Sequence, residues 1–167
     1  MDEQAHPELP WPGFSPERPF VLPLQAGRMA TPFGEACEIE GVRLVRKPEF
    51  HVTVLSQELS RTAAVLGTAR LRALYESRPW TPRRTGRYAL LHDAKPALGG
   101  TLERWSLIEH LELPAMDHFR GELARMLGPT LADPVPHVTH FVRGAPNGIG
   151  VPNTRALQAL QLREVLL

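Results

Sequence analysis

A six-residue pattern, Pro-x-x-His-Val-Thr, occurs twice in this chain, at residues 48–53 and again 86 positions later at residues 134–139. With seven histidines in the chain, a single His-x-Thr is expected roughly 0.4 times by chance, so one copy says little. Two copies that share proline and valine say much more. Side chains two apart on a β-strand point the same way, so each copy presents an imidazole and a hydroxyl from one strand face. The fold must therefore supply two similar strands, and if these face each other, His51, Thr53, His137 and Thr139 converge.

That set of groups has a definite chemistry. An imidazole titrates near neutral pH, so one neutral ring can take a proton from water while a second, protonated ring donates to a leaving oxygen. A phosphodiester gains charge on its non-bridging oxygens in the transition state, and threonine hydroxyls can donate hydrogen bonds to them. No carboxylate or further histidine stands at a recognisable ligand spacing, so neither a metal nor any other cofactor is expected.

Composition narrows the setting. The 167 residues carry a formal charge of only +1, which suits a small nucleotide or an RNA end held by local groups rather than a DNA duplex. Cys37 is the one cysteine, so an intrachain disulfide and a cysteine-built zinc site are both excluded. The first residues are acidic and proline-interrupted, and no apolar run reaches membrane-spanning length. A cytoplasmic protein without membrane contact is the expectation.

Local patterns give an α+β chain. Seven prolines between Pro7 and Pro32 mark residues 1–36 as an extended surface segment, with one domain over 37–167. Short β pieces are expected at Phe20–Leu24 and at residues 37–45. Phe50–Leu55 alternates as a strand, and Ser56 can cap a helix running on to Pro79. Residues 87–92 and 102–113 form two strands joined through Gly99 and Gly100. Pro114 opens a helix that ends at Gly128. A strand at His137–Arg143, a glycine-rich loop, a short helix capped near Asn153 and a last strand at residues 162–166 complete the order.

The paired motifs resemble those of the 2H phosphoesterase superfamily, whose bacterial LigT-like members are RNA cyclic phosphodiesterases and 2′-5′ RNA ligases; the resemblance covers roughly residue 41 onward. It implies a bilobal fold of two pseudo-symmetric lobes of antiparallel sheet, with helices on the outer faces and a central cleft. It further implies that His51 and His137 are the acid–base pair, that Thr53 and Thr139 bind phosphate, and that a 2′,3′-cyclic phosphate is opened to a 2′-phosphate. The same groups could serve 2′-5′ ligation or an ADP-ribose cyclic phosphate, and a non-catalytic RNA- or nucleotide-binding module is the reading from another class.

Other residues are placed by strand alternation alone. Phe141 and Arg143 should share the face of His137 and Thr139, as a base platform or packed aromatic and as a phosphate contact. Arg104, Ser106 and His110 form a polar row on their strand, which either meets substrate or is a solvated face. His140 should point away from the cleft towards the helices, as a buried hydrogen-bonded histidine.

Overall fold

Alternation along Phe50–Leu55 puts Phe50, Val52 and Val54 into the core, all at most 4% exposed, and leaves His51 and Thr53 half-buried on the other side. The chain is described here from a computed structural model covering residues 4–144 and 146–165. In order, the elements are β1 (Phe20–Leu24), β2 (Ala36–Ile39), β3 (Val42–Arg46), β4 (Phe50–Leu55), α1 (Gln57–Ala63), α2 (Thr68–Glu76), β5 (Arg83–Ala97), β6 (Gly100–Glu112), α3 (Pro114–Leu127), β7 (His137–Arg143), α4 (Thr154–Leu160) and β8 (Gln161–Val165). All strand pairings are antiparallel, in a two-stranded sheet β1-β4 and a six-stranded sheet β2-β3-β7-β6-β5-β8. The protein is α+β with antiparallel sheets. No helix among the described residues is long and apolar enough to cross a membrane.

The helices cover the small sheet. Leu22, Val52, Val54 and Leu55 meet Leu71, Tyr75, Phe119 and Leu123 in the largest core. At its centre Tyr75 stacks on Trp80 at 4.3 Å, and the indole donates to the Tyr75 carbonyl at 2.8 Å, which satisfies a polar atom that burial would otherwise leave unpaired. The six-stranded sheet is apolar on both faces in its middle. Leu90, Leu107 and Phe141 pack on one side with Leu44 and Tyr88, while Ala89, Leu91 and Ile108 pack on the other with Ile149 and Val151.

Several elements differ from the sequence expectation. The helix expected from Ser56 to Pro79 is two helices, because Gly67 takes a φ of 82° and turns the chain between α1 and α2. The stretch 37–45 folds as the hairpin β2–β3, whose turn residues Glu40 and Gly41 both have positive φ. The hairpin at Gly99 and Gly100 is there but longer, since β5 starts at Arg83 and runs to Ala97. The final strand ends, as described, at Val165, and Leu166 lies outside the described residues.

The proline-rich start is less superficial than expected. Leu9 is buried in the main core, the Tyr75 hydroxyl donates to its carbonyl at 2.7 Å, and backbone bonds tie His6 to Pro82 and Leu9 to Trp80. Prolines prevented a helix, but they did not prevent extended pairing, and β1 supplies β4 with its only ladder partner among the described residues.

Two junctions bring the sheets together. At the end of β3 the Lys47 amide donates to the His140 carbonyl at 2.8 Å, after which the chain leaves the large sheet and enters β4. β4 therefore lies beside β7 with no ladder between them. The two strands that carry His-Val-Thr are spatial neighbours from different sheets.

Candidate functional site

β4 and β7 each turn one face to a shared pocket. It is lined by His51, Thr53, His137 and Thr139, closed by Ser56, Arg120 and the loop through Asn147 and Ile149 to Pro152, and has a volume of ≈ 90 Å³. That is the space of a few water molecules, enough for a phosphate group but not for a nucleoside.

The two imidazoles differ. His137 is only 7% exposed, and its Nδ1 sits 2.6 Å from the Val135 carbonyl. A carbonyl can only accept, so Nδ1 carries the proton and Nε2 keeps its lone pair. Burial is the main cause that pushes its pKa down to about 4, against the raising effect of the Val135 bond, and the neighbouring His110 and His51 add to the drop. His137 is thus a neutral base at neutral pH. His51 is half-buried and also titrates below the ordinary histidine value, first through burial and then through the nearby Lys47 charge.

Burial of neutral histidines makes a stability prediction. Between the ordinary value of 6.5 and about 4 the unfolded chain binds a proton at position 137 that the folded chain does not. Stability is full above that window and is lost as the pH falls through it, by roughly 3 kcal/mol from this ring alone. His140 is shifted in the same direction by burial. Urea unfolding midpoints should fall between pH 7 and pH 4.5 in the wild type and less steeply in His137→Gln; equal pH dependence in both would refute the assignment.

The floor of the pocket comes from a residue that sequence patterns did not single out, and its wall from Ser106 in a role they did not give it. Arg120, 1% exposed on α3, donates from Nε to the Leu131 carbonyl at 2.7 Å, from Nη1 to Val54 at 3.0 Å and from Nη2 to Pro152 at 3.0 Å. A signal was present: Met116, Phe119, Arg120 and Leu123 share the buried stripe of α3, so a charge occupied an apolar position. The wall is fixed by Ser106, whose Oγ accepts the Ile149 amide at 3.0 Å. Gly148 has a φ of +77°, and a Cβ there would lie 3.1 Å from both Ser106 Oγ and Thr139 Cγ2. Any side chain at that position would press on the threonine.

Three expectations drawn from alternation are corrected by one irregularity. β6 and β7 slip register between Leu107 and Ile108, which pair with Phe141 and Thr139 and leave His140 as the extra residue of a bulge. A bulge reverses the faces beyond it. Phe141 therefore points away from the pocket and is fully buried among Leu44, Leu90 and Leu107, with Phe33 edge-on at 5.8 Å, so it offers no platform for a base. Arg143 follows it to that side, where its guanidinium lies 5.8 Å from the centre of the Trp105 ring that is its cross-strand partner. His140 is the buried, hydrogen-bonded histidine expected, with Nε2 2.8 Å from Glu109, but its ring lies beside Phe50 and Tyr88 of the strands rather than against the helices.

The polar row on β6 is divided among partners within the protein and does not line the pocket. Arg104 makes a two-point ion pair with Asp93, with Nε to Oδ1 at 2.7 Å and Nη2 to Oδ2 as the second contact. Ser106 is buried and used by the loop, and neither it nor Arg104 lines the pocket. His110 lies directly across the ladder from His137 but opens into a separate groove with Arg84 and Arg87.

Among the described residues no carboxylate lines the pocket, and no group of three or more histidine, cysteine or acidic side chains is placed to hold a metal ion. What the arrangement offers is a neutral base, a second imidazole, two hydroxyls and a buried cation around a phosphate-sized space. Comparison with protein-family models, curated proteins and solved structures finds no match to this chain.

Proposed function

We propose that this protein hydrolyses cyclic phosphodiesters, in the first place the 2′,3′-cyclic phosphate of an RNA end or a nucleotide, with two histidines as acid and base and in the manner of the 2H phosphoesterases. The observation that carries this reading is that both His-Val-Thr units, 86 residues apart in the chain, line one phosphate-sized pocket. In this view the two halves of the protein are the pseudo-symmetric lobes of a 2H fold, with β4 and β7 as their equivalent strands. The lone Cys37 fits a reducing, cytoplasmic setting.

His137 is the base, because its Nε2 is unprotonated at neutral pH and its ring is oriented by Val135. Nε2 takes a proton from water, whose oxygen attacks phosphorus in line with the departing 3′ oxygen. His51, entering protonated, gives its proton to that oxygen as the P–O3′ bond breaks, and a 2′-phosphate remains. Thr53 and Thr139 donate hydrogen bonds to the non-bridging oxygens, which carry more charge in the transition state than in the substrate.

The test is direct. EDTA-treated protein should convert RNA ending in a 2′,3′-cyclic phosphate to the 2′-phosphate product; a molecule that only binds RNA or nucleotides would show affinity without product. The pH dependence of kcat/KM follows from the free protein. His137 must be deprotonated and His51 protonated, so activity rises with pH through about 4 and falls again below the ordinary histidine value of 6.5. A bell with an acidic optimum is expected, and a profile flat from pH 4.5 to pH 8 would remove the two-histidine assignment.

A further inference from the structure

A buried guanidinium with no acid against it among the described residues calls for an explanation. Arg120 is 1% exposed, and each of its three hydrogen-bond partners is a backbone carbonyl. Carbonyls satisfy N–H donors but do not cancel a charge. Burial lowers its pKa only to about 10, and the acidic residue felt most is the exposed Asp133, which makes no ion pair with it. Taking an ion out of water without a counter-charge costs several kcal/mol, and an apolar residue of similar size would often serve the fold better. The position of the charge shows what it gains: Arg120 lines the same pocket as His51, Thr53, His137 and Thr139.

Its bonds are placed as well as its charge. One carbonyl, that of Val54, follows Thr53 in β4, and another, that of Pro152, ends the loop that walls the pocket. A guanidinium has five N–H bonds, so single bonds from Nε, Nη1 and Nη2 leave further donors on both Nη nitrogens. A planar cation suits phosphate oxygens, which accept two parallel N–H bonds.

We propose that Arg120 is the charged element of phosphate recognition at this site, presenting Nη donors to a phosphate bound between the two threonines while holding the Val54 and Pro152 sides of the pocket in register. The proposal rests on the reading of the pocket as a phosphoester site. It assigns the counter-charge for the anion to a helix residue inside the core rather than to an arginine on β7. It also explains why no acid approaches Arg120, since a carboxylate there would neutralise the cation and repel the ligand.

Inorganic phosphate is the probe, titrated by calorimetry and by NMR of the histidine rings. The wild type should bind it, and Arg120→Met should weaken binding and lower kcat/KM for a cyclic phosphate by about 10- to 100-fold, the effect of losing a charged hydrogen bond. Arg120→Lys, which keeps the charge and loses the fork, should fall between them. A purely structural role predicts a lower unfolding midpoint with phosphate affinity unchanged in the folded variant, and that outcome overturns the proposal. If neither variant folds, the wild-type Arg120 side-chain N–H signals decide: a shift on adding phosphate supports it and no shift overturns it. Wild-type hydrolysis with an unaffected Arg120→Met sinks only this inference, whereas a wild type that neither binds phosphate nor turns over cyclic phosphate sinks the underlying reading too.

Discussion

Alanine at His137 is expected to lower kcat for hydrolysis of a ribonucleoside 2′,3′-cyclic phosphate by about 10²–10⁴-fold, and alanine at His51 by a similar factor. Each substitution removes one of the two proton transfers, and the remaining ring cannot serve as acid and base in the same step. The double variant should be little worse than either single one, because groups that act as a unit are strongly non-additive. Each single variant should also lose one limb of its pH profile, the acid limb with His137 and the alkaline limb with His51. Rates measured by product chromatography at several pH values would decide it, and turnover untouched by both substitutions would end the two-histidine mechanism. Thr53→Val and Thr139→Val belong in the same assay, since each removes a hydroxyl while keeping the β-branched shape.

The largest stability effect is expected on the face of the six-stranded sheet turned away from the pocket. Glu109 is 1% exposed and gathers four donors: Arg84 Nε at 3.0 Å, Arg84 Nη2 at 2.8 Å, the Gly86 amide at 2.9 Å and His140 Nε2 at 2.8 Å. Burial alone would raise its pKa, but the bonds from His140, Arg84 and Gly86 outweigh burial and hold the carboxyl below its ordinary value. His140 donates from Nε2, and its Nδ1 is buried without a partner, which is the pattern of a neutral ring. Arg84 also donates to the Ala30 carbonyl at 2.7 Å, so the cluster ties the segment after β1 to the large sheet. Glu109→Ala leaves the buried His140 N–H without an acceptor and takes the carboxylate from the half-buried Arg84, which keeps the Arg28 and Ala30 carbonyls, and should cost about 3 kcal/mol. The urea midpoint should drop accordingly, with Glu109→Gln between the two because an amide oxygen still accepts one bond. A Glu109→Ala midpoint equal to the wild type would show that the cluster contributes nothing to stability.

Legibility in the sequence followed how local the cause was. α3 opens at Pro114 and is capped at Gly128, close to where chain composition alone put its ends, because proline at a first helical turn and glycine after the last act within a few residues. The alternation of Phe50–Leu55 was readable for the same reason: one face of β4 packs on the helices and the other lines the pocket. The stretch 37–45 was less readable, since a run of β-forming residues does not state whether it is one strand or a hairpin until its neighbours pair with it.

The role of Arg120 and the face of Arg143 were hidden for a different reason. Alternation is a rule for an unbroken strand, and one inserted residue opposite β6 reverses it. The insertion at His140 is rewarded only by partners far away in the chain, Glu109 above all. In the same way, the meaning of a charge on the apolar stripe of α3 depends on carbonyls from Val54, Leu131 and Pro152, which come together only after folding.

The chain by itself determined an α+β protein with two strands that each pair an imidazole with a hydroxyl, because a period of two is a property of the extended backbone. Tertiary structure alone decided that those strands, from different sheets, border one small pocket, that the bulge sends Phe141 and Arg143 away from it, and that a core arginine lies beside it. Such facts depend on which distant segments satisfy each other's buried polar groups, and no local pattern carries that information.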